Sequence, residues 1–204
     1  MLELNNVAFS YEKDAIVVDD FSMFVKKGEI VAIQGRSGSG KSTILRLIAG
    51  LEDAQQGNIF VDGIEVNHIP TNKRNVGYVF QNHALFPHLT IRKNIEFGLF
   101  ELSKSEKTEI VLDVAKKVEI LDLLDRYPHE ISGGQKQRVA IARSLVRKPK
   151  VLLLDEPFTA MDQELKDNVR KDMLHILKQF DITTVLVTHD KEDATALEAR
   201  IIKI

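Results

Sequence analysis

The segment Gly35-Arg36-Ser37-Gly38-Ser39-Gly40-Lys41-Ser42, followed by Thr43, has the residue types and spacing of a phosphate-binding loop. Its glycines let backbone N–H groups turn inward around phosphate oxygens, and a helix starting at the lysine adds the positive end of its dipole. Lys41 then reaches the β- and γ-phosphates, and the Ser42 hydroxyl ligates Mg²⁺. The plain alternative is a glycine-rich turn before an ordinary helix. Chance produces this pattern in roughly 1% of chains of this length. The expected ligand is a nucleoside triphosphate.

Two further groups of residues carry chemistry. Val151-Leu-Leu-Leu154 is an apolar run that ends in Asp155, Glu156 and Pro157. Functional groups of open α/β sheets gather at the carboxyl ends of strands. Asp155 is expected to hold Mg²⁺ through water, opposite Ser42. Glu156 is expected to face the γ-phosphate and to orient or deprotonate the attacking water. A strand ending in an acidic turn is common, and only the phosphate loop upstream gives these carboxylates a task. Ser132-Gly133-Gly134-Gln135 reads as a capped helix start, with Val139, Ala140, Ala142, Leu145 and Val146 on its buried face. Such a start also offers N–H groups and a hydroxyl to a phosphate.

The elements that must position these residues follow from periodicity. Ile30 to Ile33 reads as the strand entering the phosphate loop, and Ile44, Leu45, Leu47 and Ile48 as one face of the helix leaving it, with Gly50 as its stop. Earlier strands are expected over Leu2 to Phe9 and Phe21 to Val25. A hairpin is expected over Asn58 to Val66 around Asp62-Gly63. Val76 to Phe80 reads as a buried strand. From residue 83 to 147 the pattern is helical, with Thr90 as a cap and Ser103 to Glu106 at capping-box spacing. Strand and helix then alternate: Val151 to Asp155, an amphipathic helix from Gln163 to Phe180, Thr183 to Thr188, a short helix, and Arg200 to Ile204. This order implies one α/β domain over 1–204: a mostly parallel sheet (1–82 and 148–204) with a small antiparallel β lobe and a helical subdomain inserted at 83–147.

Bulk composition narrows the function classes. The 204 residues include 28 Lys plus Arg against 30 Asp plus Glu, a net charge of −2, so no electrostatic footprint for nucleic acid exists. With no cysteine, disulfides, zinc-thiolate sites and cysteine nucleophiles are excluded. The N-terminus, Met1 to Val7, lacks the basic-then-apolar pattern of a signal peptide, and no apolar run approaches the roughly 20 residues that span a bilayer. A soluble, cytoplasmic protein is expected, reaching a membrane only through a partner.

Phosphate loop, Ser-Gly-Gly-Gln and Asp-Glu-Pro occur in an order and spacing that resemble the ATP-binding cassette family, the nucleotide-binding subunits of ABC transporters. The resemblance runs from Leu2 to Ile204 and implies a P-loop NTPase fold of the RecA-like type, ATP and Mg²⁺ as cofactors, and ATP hydrolysis. It implies further roles by position. Gln81 matches the residue that contacts Mg²⁺ and water and senses the transmembrane partner. His189 matches the switch histidine at the γ-phosphate, and Tyr11 the aromatic that stacks on adenine. Asp162, in Ala160-Met161-Asp162, matches the D-loop, with Met161 in place of the usual leucine. Plainer roles are a strand-end polar group for Gln81, a helix cap for His189 and a half-buried turn aromatic for Tyr11. Ser132, Gly133, Gly134 and Gln135 match the signature that closes over ATP held by a second subunit. The implied partners are a second copy or homologous subunit, transmembrane permease subunits and an extracytoplasmic substrate-binding protein.

Lys73 to Gln81 and Ala84 to Thr90 look most like importer ATPases. The sequence stops at Arg200 to Ile204, where relatives run on, and the expectation is that no regulatory domain follows, which disfavours the sugar and polyamine branches. A soluble ABC-type ATPase acting on ribosomes or DNA is the alternative, set back by the near-neutral charge and the single cassette. A phosphotransferase leaves Ser132 to Gln135 and Gln81 unexplained.

Overall fold

In the computed structural model, residues 1–12, 15–159 and 163–204 are described. Along the chain the elements are β1 (Leu2–Glu12), β2 (Ala15–Val25), β3 (Ile30–Gln34), α1 (Lys41–Ala49), β4 (Gln56–Val61), β5 (Ile64–Glu65), β6 (Val76–Val79), α2 (Ile91–Glu96), α3 (Lys104–Lys117), α4 (Gly133–Leu145), β7 (Val151–Asp155), α5 (Gln163–Phe180), β8 (Thr183–Val187), α6 (Lys191–Ala196) and β9 (Arg200–Lys203). Five strands form a wholly parallel sheet in the order β6-β7-β8-β3-β9. Four others form an antiparallel sheet, β2-β1-β4-β5. This is the P-loop NTPase fold with its antiparallel lobe.

The parallel sheet is covered on both faces, which is why its strands are apolar runs without alternation. Along β7, Leu152 and Leu154 pack into a cluster with Ile91 and Ile95 of α2, Val111 and Val114 of α3, and Met173 and Ile176 of α5. Val151 and Leu153 point the other way, into a cluster with Ile44, Leu45 and Ile48 of α1 and with Leu2, Leu4 and Val7 of β1. The period-two geometry of the strand divides one sequence run between two cores. Helices α2, α3 and α4 all lie between β6 and β7 in the chain, although these strands are neighbours in the sheet.

The caps sit where the sequence implied. Thr90 accepts from Lys93 N at the start of α2, and Ser103 and Ser132 each form a complete capping box. Asp62 and Gly63, both with positive φ, make the turn between β4 and β5. The first two strands are longer than expected, at 11 residues each. Register shifts interrupt their pairing between Leu4 and Val7 and again near Phe9 and Ser10, so the alternation that would reveal a long strand is broken.

Candidate nucleotide-binding site

Strand register brings the candidate residues to one edge of the sheet. Leu154 of β7 is level with Val79 of β6, Asp155 with Val187 of β8, and Val187 with Ile33 of β3. All four strands point the same way. Just beyond those positions lie Gln81 after β6, Glu156 after β7, His189 after β8 and Gly35 after β3. A crevice at the carboxyl ends of adjacent parallel strands is where open α/β sheets bind ligands.

The phosphate loop runs from Gly35 into α1. Gly40 is the N-cap residue, left-handed at φ 84°, and supplies no side-chain cap. A Cβ there would sit 2.5 Å from the Val17 carbonyl oxygen, so only glycine fits. The first-turn N–H groups of α1, at Lys41, Ser42 and Thr43, have no intrahelical acceptor. Lys41 is buried, and its Nζ donates to the carbonyls of Gly35 at 3.1 Å and Arg36 at 2.7 Å. The Ser39 Oγ is buried without a protein partner, while Arg36, Ser37 and Gly38 are exposed. Unpaired N–H groups, an ammonium and an orphaned hydroxyl in one loop fit a triphosphate.

Beside the loop, the Ser42 Oγ donates to Asp155 Oδ1 at 2.8 Å, across 113 positions of sequence. The other oxygen, Oδ2, accepts from the Tyr78 hydroxyl at 2.8 Å. Burial and the negative charge of Asp155 push the Tyr78 phenol far above the ordinary tyrosine range, so it is a neutral donor. Glu156 follows in the left-handed region, at φ 45°, with its N–H bonded to the Val187 carbonyl at 3.0 Å. Its Oε2 accepts from Thr159 Oγ1 at 3.0 Å and lies 3.7 Å from His189 Nδ1. The His189 side chain is 59% exposed. It is not a helix cap: Asp190 fills that position of α6, accepting from Glu192 N.

Tyr11 stands on β1 rather than in a turn, 52% exposed, edge-on to Phe9. Its hydroxyl is 3.5 Å from Thr43 Oγ1 and accepts from Arg46 at 3.4 Å, which raises the arginine pKa. Gln81 is exposed. The chain after it is clamped to α4 by Arg143, which donates to the carbonyls of Ala84 at 2.6 Å and His83 at 2.8 Å. Ser132 and Gln135 bond to each other at the start of α4, Ser132 and Gly133 are exposed, and a Cβ on Gly133 would meet nothing within 4 Å. Among the described residues, no hydrogen bond links this turn to the phosphate loop. Asp162 and the rest of Ala160-Met161-Asp162 lie outside the described residues.

Three residues at or near the site escaped sequence reasoning. Tyr78 looks like a strand aromatic, and only the pairing of β6 with β7 puts its hydroxyl on Asp155. Gln137 is buried on α4 and donates to the Pro157 carbonyl at 3.0 Å, tying that helix to the turn after Glu156. Arg170 of α5 is the third, with a side chain only 2% exposed. It bonds Asp193 at 2.6 and 2.8 Å, Asp190 at 2.8 Å, and Asp167 and Glu192 at 3.1 Å each. Burial opposes its charge, but these carboxylates outweigh burial and hold its pKa above the ordinary arginine value.

The chain is similar to known proteins in sequence and in fold. A family model described as "ABC transporter" matches residues 18–159. The putrescine transport ATP-binding protein PotG of Escherichia coli is 44% identical over 203 residues, 98% of this chain and 54% of PotG. The spermidine/putrescine import ATP-binding protein PotA of Haemophilus influenzae is 43% identical over 205 residues, 99% of this chain and 55% of PotA. The chain therefore spans about half the length of these relatives. Their polyamine names run against the expectation drawn from the carboxyl end. Among solved structures, the ATP-binding cassette MJ0796, in a dimeric post-hydrolysis state bound to ADP and Pi, superposes with a TM-score of 0.83 at 33% identity, covering 100% of this chain and 94% of that one. CbiO1 from Clostridium perfringens, part of the ABC transporter complex cbiONQ, gives a TM-score of 0.84 at 31% identity, over 93% of this chain and 78% of that one.

Proposed function

The chain belongs to the ABC transporter family, and on that premise we propose that it is the ATP-hydrolysing motor subunit of a membrane importer. One observation carries the reading. The 2.8 Å hydrogen bond from Ser42 to Asp155 joins the phosphate loop to the end of β7 and sets two hard oxygen donors together, as Mg²⁺ requires. In this reading Lys41 and the N–H groups of the loop bind the triphosphate, and Tyr11 takes the adenine face. Ser42, Asp155 and Gln81 would hold Mg²⁺, which when bound would neutralise phosphate charge. Glu156 takes the proton of the attacking water, and His189 beside it orients the γ-phosphate.

The turn Ser132–Gln135 closes over ATP on a second chain, in a head-to-tail pair. Asp162, outside the described residues, is assigned to that pairing by its motif alone. The dimeric state of MJ0796 supports this pairing. Permease subunits hold the pair at the inner face of the membrane, and an extracytoplasmic binding protein delivers the cargo. Putrescine and spermidine, named for PotG and PotA, are the first cargoes to test. Among the described residues, no helix is long and apolar enough to cross a membrane.

Glu156→Gln tests the mechanism, because it keeps size and hydrogen bonding but removes the base. Hydrolysis should fall about 10²–10⁴-fold while ATP binding survives, and size-exclusion chromatography with Mg-ATP should show an ATP-bound dimer. A parental hydrolysis rate would remove Glu156 from the role of base and make His189 the next residue to substitute.

A further inference from the structure

Asp155 is held from two sides. Ser42 Oγ, from the first turn of α1, occupies Oδ1, and the Tyr78 hydroxyl occupies Oδ2, each at 2.8 Å. Tyr78 pairs with Leu153 across β6 and β7, so its side chain reaches along the strand toward Asp155. It is itself restrained. Its carbonyl accepts from Ser144 Oγ at 3.0 Å, and its ring leans on Phe80 with centroids 4.3 Å apart. With backbone and ring so held, the hydroxyl lies within hydrogen-bond reach of the carboxylate and donates to it.

We propose that Tyr78 is a positioning residue for the divalent-cation site: its hydroxyl fixes Oδ2 of Asp155 so that Oδ1 stays turned to Ser42. Groups that orient a metal-holding carboxylate act through the ligand rather than by touching the ion, and their loss typically weakens metal binding about 10–100-fold. The inference rests on the reading of Asp155 as the metal-holding carboxylate. The competing role is packing alone, in which the hydroxyl merely finds an acceptor while the ring fills space against Phe80.

Tyr78→Phe separates the two, since it keeps the ring and removes one hydrogen bond. Mn²⁺ is the probe, titrated against the whole chain with a non-hydrolysable ATP analogue, with free Mn²⁺ read by electron paramagnetic resonance. Tyr78→Phe should weaken Mn²⁺ about 10–100-fold, with the melt still cooperative though lowered by several degrees through the lost hydrogen bond, and with the nucleotide affinity in chelator unchanged. In an Asp155→Asn background the same substitution should add nothing, because the carboxylate whose orientation Tyr78 sets is gone. Unchanged Mn²⁺ affinity in Tyr78→Phe overturns the inference, as does an equal loss in both backgrounds. Loss of the cooperative melt or of metal-free nucleotide binding assigns Tyr78 to packing and overturns it too. If Asp155→Asn alone binds Mn²⁺ as the parent does, Asp155 itself is not the metal residue. That failure is visible before Tyr78 is touched, and it removes both readings.

Discussion

A lysine ammonium that donates to the carbonyls of Gly35 and Arg36 holds its own loop in shape while its charge waits at the mouth of α1. Lys41→Ala removes both roles. A hydrogen bond to a charged group contributes about 1.5–3 kcal/mol, so ATP affinity should fall about 10–100-fold. Calorimetric titration checks this, and equal ATP affinity in variant and parent would refute the assignment. The thermal melt should stay within a few degrees, since the two acceptors, at Gly35 and Arg36, lie in a loop that solvent reaches. Lys41, Ser42, Asp155 and Glu156 were legible because each sits at a strand end or helix start, where position alone gives a side chain its direction. Tyr78 was not legible. An aromatic in a four-residue strand is indistinguishable from a packing residue until the neighbouring strand is known.

Helix α1 is anchored at the end opposite the nucleotide. Arg74 is buried there, and it donates to Leu47 O at 2.8 Å, Ile48 O at 3.3 Å, Ile69 O at 2.7 Å and Asn67 O at 3.1 Å. A cation on the last carbonyls of a helix opposes its dipole favourably. Gly50, left-handed at φ 72°, leaves room for it, because a Cβ there would lie 2.4 Å from the arginine Nε. Arg74→Met should therefore cost at least about 2 kcal/mol, as buried acceptors lose their donor. Urea denaturation should show a lower midpoint while the folded protein binds ATP normally. A midpoint equal to the parent's would mean that water replaces the guanidinium without cost. The elements themselves were largely readable: caps at Thr90, Ser103 and Ser132, the Asp62-Gly63 turn, and apolar runs for β7 and β8. The lengths of β1 and β2 were not, because Asn6 and Asp20, both with positive φ, interrupt the strands and break the alternation. A buried arginine serving carbonyls, like Arg74, leaves no pattern at all in sequence.

For the molecule as a whole, the proposed catalytic unit is a pair of chains. Ser132 and Gly133 are exposed at the head of α4, with no hydrogen bond to the phosphate loop among the described residues. Hydrolysis per chain should then rise with protein concentration until the pair is saturated. A rate per chain that stays flat across a dilution series of monomeric protein would sink the pairing. Helices α5 and α6 are joined by Arg170, which gathers Asp167 on α5, Asp190 beside His189, and Glu192 and Asp193 on α6. One cation serves four anions, and that inequality gives substitutions here an order of acceptance. Either outer acid, Asp167 or Glu192, can be replaced alone, because the guanidinium keeps its other partners. The arginine cannot go first, since its loss would strand a buried Asp193 among like charges. Removing Arg170 while Asp193 stays should therefore be the costly order, and replacing Asp193 as well should lessen that cost.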